Sequence, residues 1–149
     1  MKIISDHINY RIYYIAEQVI FNQWLDNAYI DVDKATEISD AVQKLTKGKR
    51  AICITNLGTN TGSMTNDAKA FIANDESLNN FKIFEILLTK SRLMKFLAKA
   101  YLFINKPKAK TYIANNLVEI IDILNSHSVD NHVINEVIDC INQEIEMND

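Results

Sequence analysis

Glycine and proline are nearly missing from this chain, with 3 Gly and 1 Pro among 149 residues. Scarcity of these punctuating residues excludes long linkers and structureless loops, which depend on them for turns and stops. No run approaches the ~18 consecutive apolar residues of a membrane-spanning helix. The 2 cysteines are far apart: Cys53 lies in an apolar strand-like run and Cys140 in a helical pattern. That excludes a disulfide framework and predicts two reduced, buried thiols. His7, His127 and His132 lie at no zinc-ligand spacing from either cysteine. No GxSxG, GxGxxG or Walker-type phosphate loop occurs. The opening Met1-Lys2-Ile3-Ile4-Ser5-Asp6-His7 meets charge too early for a secretory signal, so a cytoplasmic location is expected. No cofactor and no metal are expected.

What is present reads as one ordinary core. Hydrophobic residues make up 48% and charged residues 23%, and at this length a domain buries roughly 70% of its unfolded surface. Ile8 to Ile15 and Val19 to Leu25 alternate as strands, and only Ala16-Glu17-Gln18 separate them, which predicts an antiparallel hairpin. Asp31 caps a helix carrying Ala35, Ile38, Val42 and Leu45, and Gly48 ends it. Ala51 to Thr55 is a strand, Leu57 to Met64 a loop, and Thr65 the cap of a short helix with Ala68, Phe71 and Ile72 inside. Phe81 to Leu88 is a strand. Ser91 caps a helix whose Leu93, Phe96, Leu97, Ala100, Tyr101 and Ile104 share one face, and Pro107 stops it. The spacing predicts that this face packs on Ile52, Ile54 and the Phe84 to Leu88 strand. Lys110 to Ala114 is a short strand, followed by a helix carrying Val118, Ile121 and Leu124. After a break at Ser126 to Asn131, Val133, Ile134, Val137, Ile138, Ile141 and Ile145 form the stripe of a last helix.

Strands and helices alternate after the opening hairpin, which requires crossover helices and a largely parallel sheet. This order resembles that of SpoIIAA-like (STAS-type) domains. Local sequence carries the same resemblance: Phe84 to Leu88, then Ser91, then Tyr101 to Lys108 with its Asn-Lys-Pro-Lys stretch, then Thr111-Tyr112-Ile113, and Tyr29 to Ala35 earlier on. It covers residues 8 to 125. It implies an α/β domain over 1–128 with a mixed sheet of four or five strands and helices chiefly on one face, plus a C-terminal helical extension over 129–149. That extension either docks on the parent domain or forms a homodimer, and the dimer is favoured.

In anti-anti-sigma factors of this fold a serine after the third strand is phosphorylated, and the added charge switches partner binding. Alignment on Leu57-Gly58 puts Met64 at that acceptor, and alignment on Thr61-Gly62 puts Asn60 there. Neither bears a hydroxyl. Thr61, Ser63 and Thr65 are the neighbouring candidates for modification, with Thr65 already explained as a cap. The glycine-containing loop from Leu57 to Ser63 lacks the lysine of a phosphate loop and reads as a polar connection.

Charge is segregated. Of 16 basic residues, seven fall between Lys90 and Lys110, namely Lys90, Arg92, Lys95, Lys99, Lys106, Lys108 and Lys110. No acid lies among them, and the remaining nine stand against all 19 acidic residues. A positive stripe from Arg92 to Lys110 is a candidate site for an anionic partner, an acidic protein surface or phospholipid headgroups. Nucleic acid is disfavoured, because the nearby aromatics are assigned to the buried face. The expectation is a non-enzymatic regulatory or protein-interaction domain. The alternative is a small-ligand or lipid-binding module.

Overall fold

The computed structural model describes residues 2–7, 9–25, 27–57 and 63–148. In chain order the elements are β1 (Lys2–Asp6), β2 (Tyr10–Ile15), β3 (Val19–Trp24), β4 (Tyr29–Ile30), α1 (Val32–Thr46), β5 (Ala51–Asn56), β6 (Ser63–Met64), α2 (Asn66–Asn74), α3 (Glu76–Phe81), β7 (Lys82–Leu88), α4 (Arg92–Asn105), β8 (Thr111–Ala114), α5 (Leu117–Ser126) and α6 (Asn131–Asn148).

Short polar side chains start five of these helices by accepting an otherwise orphaned backbone N–H. Asp31 accepts from Lys34 at 2.8 Å, Thr65 from Ala68 at 3.1 Å and Asp75 from Leu78 at 2.9 Å. Ser91 accepts from Met94 at 3.3 Å and Asn116 from Glu119 at 2.9 Å. At the far end of α1, Lys47 and Gly48 both take positive φ, 53° and 77°, and the Gly48 N–H reaches back to the Gln43 carbonyl at 3.0 Å. The β2–β3 hairpin turns through Ala16 and Glu17, at φ 51° and 55°. Two consecutive positive φ angles match the right-handed twist of the strands they join.

The main sheet has six strands in the order β1-β2-β3-β5-β7-β8, and β4 pairs with β6 in a separate two-stranded sheet. The pairs β1/β2 and β2/β3 are antiparallel, while β3/β5, β5/β7 and β7/β8 are parallel. The expected four or five strands therefore become six. The added strand is β1, an edge strand whose residues are mostly exposed, so it shows no alternation of burial and is ordered by pairing with β2. The expected loop from Leu57 to Met64 ends in β6, where the Ser63 N–H bonds to the Ala28 carbonyl at 2.9 Å.

Helices cover both faces, not chiefly one as expected, because β3 is buried on both sides and each side needs a cover. Tyr13, Val19, Phe21, Ile52, Ile54, Phe84 and Ile86 form one core with Ile120 and Leu124 of α5 and Val133, Ile134, Val137, Cys140 and Ile141 of α6. Helices α1 to α3 contribute to the second core, on the other face, with Tyr10, Ile12, Ile20, Trp24 and Cys53. Helix α4 lies on that side too, with Met94, Ala98 and Tyr101 lining a space shared with Ile20 and Cys53.

Two expectations are corrected here. Ile52 and Ile54 face α5 and α6, so α4 does not meet them. Helix α4 is also turned: Met94 and Ala98 are buried, whereas Leu93, Phe96, Phe103 and Ile104 are 67–80% exposed and Leu97 is 42% exposed. Periodicity identifies residues that share a face, but α4 is apolar over more than half its circumference, and small Ala98 is the side that lets it approach the sheet. In α5, similarly, Ile120 replaces Val118 as a core residue.

All of the α6 stripe except Ile145, which is exposed, is covered by its own chain. Glu144, 1% exposed, accepts a bidentate pair from Arg11 of β2 at 2.8 and 2.7 Å, and also the Tyr13 hydroxyl. Lys2 of β1 donates to Gln143 at 2.6 Å. The helix beyond residue 128 is thus built into the core, and its stripe requires no second copy. Among the described residues, no helix is long and apolar enough to cross a membrane. Ile141→Ala is expected to cost about 2–5 kcal/mol in urea unfolding, and a chain ending at Ser128 is expected not to unfold cooperatively. A native-like transition in that shortened chain would contradict the placement.

Candidate functional site

Strand alternation places Ile20, Asn22 and Trp24 of β3 on the face toward α1, with Cys53 and Thr55 of β5 beside them. Helix α1 contributes Ala35, Ile38 and Val42, α2 contributes Ile72, and α4 closes the side with Met94, Leu97, Ala98 and Tyr101. Between them lies a cavity of about 260 Å³. It exists because the helix side chains facing the sheet here include Ala35 and Ala98, which leave volume that larger residues would fill.

Exposed Ser63 and half-buried Lys69 stand among the lining residues, and the buried polar groups of the cavity are few. Lys82 and Glu85 of β7 are both nearly inaccessible, with Nζ to Oε2 at 2.6 Å. Residues three apart in a regular strand face opposite ways. Here the register runs Ala51↔Lys82 and then Cys53↔Glu85, so β7 carries one extra residue against β5. That bulge swings Lys82 onto the face of Glu85. Three further polar atoms, Asn22 Oδ1, Trp24 Nε1 and the Tyr101 hydroxyl, are buried without a hydrogen-bond partner among the described residues. All three belong to side chains that line this cavity. A buried unpaired polar group costs about 1–3 kcal/mol, so three around one apolar space are a feature to be explained.

The sequence-derived candidates fall elsewhere. Arg92, Lys99, Lys106, Lys108 and Lys110 are exposed and Lys95 is half-buried. Among the described residues none of the six forms an ion pair, and the Lys110 ammonium sits 5.4 Å over the Tyr112 ring. Lys95 lies close enough to Glu119 to help hold that carboxyl low, after the Asn115 hydrogen bonds that dominate the shift. Ser63 sits at the rim of the cavity. Thr65 caps α2 as expected. Thr61 lies outside the described residues. His127 stacks on Phe84 at 4.0 Å and meets the Tyr112 hydroxyl at 3.0 Å, a packing role. Cys53 and Cys140 are free and buried, as expected. The cavity itself was missed. Its sequence signal is the polar pair Asn22 and Gln23 inside a strand whose other residues are apolar, of which Asn22 lines the cavity.

Burial raises the proton affinity of several groups together. Desolvation pushes the Cys53 and Cys140 thiols up to about 12. It also raises Tyr10, Tyr13, Tyr14 and Tyr101, with Glu37 and Glu144 adding to the shifts of Tyr10 and Tyr13. For Lys82 desolvation works downward, but the Glu85 charge, the Cys53 thiolate charge and the Glu85 hydrogen bond together outweigh it and the net shift is up. Each of these groups keeps its proton to higher pH in the folded chain than in the unfolded one. The folded state therefore binds more protons above the ordinary thiol value of 9.0, and stability falls as pH rises. Urea midpoints are expected to be level up to about pH 9 and to drop progressively above it. A midpoint unchanged through pH 11, about two units beyond the ordinary thiol value, would contradict the burial of these groups.

No curated protein and no solved structure matches the chain. A family profile does match, over residues 13–128, which takes in the sheet from within β2 to β8 together with α1 to α5. The matched region includes every side chain that lines the cavity. The chain belongs to the family described as a domain of unknown function, DUF7793.

Proposed function

We propose that this domain binds a small amphipathic molecule between its sheet and helices α1, α2 and α4, with an apolar body against the helices and a hydrogen-bonding head toward β3 and β7. The observation that carries the reading is that Asn22, Trp24 and Tyr101, each with a buried polar atom that has no partner among the described residues, all line one apolar cavity. An apolar pocket with a few convergent polar groups is the usual form of a small-molecule site. The three atoms offer an acceptor, a donor and a hydroxyl that does either, so they suit a head that both donates and accepts. At about 260 Å³ the space fits a molecule of up to three rings or a short acyl chain.

Binding, rather than turnover, agrees with the titration behaviour. Lys82, Tyr101 and Cys53 are all shifted away from neutral pH, whereas general acid–base groups work best with values near it. On this reading the scaffold is SpoIIAA-like, supported by the four parallel strands β3, β5, β7 and β8, with helices in the segment after each, β4 and β6 intervening after β3 and β5. A regulatory role would then take the bound molecule as its input.

The probe is N-phenyl-1-naphthylamine, an uncharged aromatic amine sized to the cavity. Saturable fluorescence enhancement at one equivalent is expected, abolished by Ala98→Trp, which fills the space, and retained in Phe96→Ser, which alters only the outer face of α4. Tyr101→Phe removes an unpaired buried hydroxyl, so the free protein should be equally stable or up to about 1 kcal/mol more stable. Enhancement that survives Ala98→Trp, or a clear destabilisation by Tyr101→Phe, would contradict the proposal.

A further inference from the structure

Helix α4 presents to solvent the side chains that a core helix normally hides. Leu93, Phe96, Phe103 and Ile104 are 67–80% exposed, and Leu97 is 42% exposed. At 100° per residue these five, with Ala100, span an arc of about 120°. Arg92 and Lys99 border this arc on one side, and Lys106, Lys108 and Lys110 follow the helix end, all exposed.

We propose that this face docks the domain on an anionic lipid bilayer, with Phe96, Phe103, Leu93 and Ile104 in the headgroup boundary and the flanking cations on lipid phosphates. Charge complementarity selects the occupant. An apolar helical face edged by Lys and Arg is the pattern of interfacial membrane helices, and each cation near an anionic surface strengthens the attachment. An antiparallel two-fold contact between copies would set the two basic edges, with Arg92 and Lys99, on the same side of the seam, a like-charge arrangement that opposes association. Leu97 belongs both to this face and to the cavity wall, so a docked α4 would hold one side of the cavity at the membrane. The attachment goes beyond the cavity reading and stands without it, since none of the other face residues lines the cavity.

The test is co-sedimentation of the full chain with vesicles of phosphatidylcholine alone and of phosphatidylcholine mixed equally with phosphatidylglycerol. Two variants accompany it, Phe96→Ser/Phe103→Ser and Arg92→Glu/Lys99→Glu. Both substitute exposed side chains, and an unchanged urea midpoint verifies that they fold. The unsubstituted protein should bind the mixed vesicles, less so as salt rises, and only weakly the neutral ones. Each variant should lose about tenfold or more in partitioning. Failure to bind the anionic vesicles would overturn the proposal, as would binding that both variants retain. So would a dimer in sedimentation equilibrium that Phe96→Ser/Phe103→Ser converts to monomer, because a second copy would then own the face. Loss of probe binding in Ala98→Trp with vesicle binding intact would be the expected separation of this site from the cavity.

Discussion

Every residue of β3 is buried, on both of its faces, and that single constraint organises the molecule. A strand apolar on both sides must be covered on both sides, because its exposed face would otherwise leave a large apolar surface in water. One cover comes from α5 and α6, the other from α1 to α4. The two covers are chemically unlike. Toward α5 and α6 the sheet presents Phe21, Ile54, Phe84 and Ile86, and Ile, Val and Leu residues of the helices fill the space. The lock between Glu144, Arg11 and Tyr13 then fixes the end of α6 against β2. Toward α1 to α4 the sheet presents Asn22, Thr55, Lys82 and Glu85 among its apolar residues. Small Ala35 and Ala98 stand over them, and a cavity results. One face holds the domain together while the other has room for a ligand.

Local chemistry made much of this legible from sequence. Asp31, Thr65 and Ser91 are residue types that prefer the helix cap to the helix interior, and each caps where its spacing to the apolar stripe predicts. The β2–β3 hairpin followed from two alternating runs three residues apart. What escaped depends on contacts between distant residues. Strand β1 is ordered by its pairing with β2, not by a pattern of its own. The inward face of α4 is decided by the sheet beneath it, and larger Leu93 and Phe96 lose that place to Met94 and Ala98.

The site was less legible than the fold, for the same reason. Lys82 and Glu85 would face opposite ways in an unbroken strand, and only the bulge in β7 joins them. Asn22, Trp24 and Tyr101 come from elements nearly eighty residues apart by the numbering and meet only once α4 lies on the sheet. The basic residues were visible at once, yet their meaning changed with the structure. Beside a buried apolar face they read as a solvated edge, whereas beside exposed Phe96 and Phe103 they border a surface that water does not favour.

The central claim is that the face of the sheet under α4 takes up a ligand, and Trp24 reports on it directly. It is the chain's 1 tryptophan, it lines the cavity, and its ring N–H is buried with no partner among the described residues. Its emission can therefore be followed during titration with N-phenyl-1-naphthylamine, whose absorption accepts energy from tryptophan. The account predicts that Trp24 emission is quenched with the same midpoint and stoichiometry as the rise in probe fluorescence, and that its maximum is altered as the indole N–H gains a neighbour. Probe fluorescence that saturates while Trp24 emission stays constant would place binding elsewhere and contradict the claim.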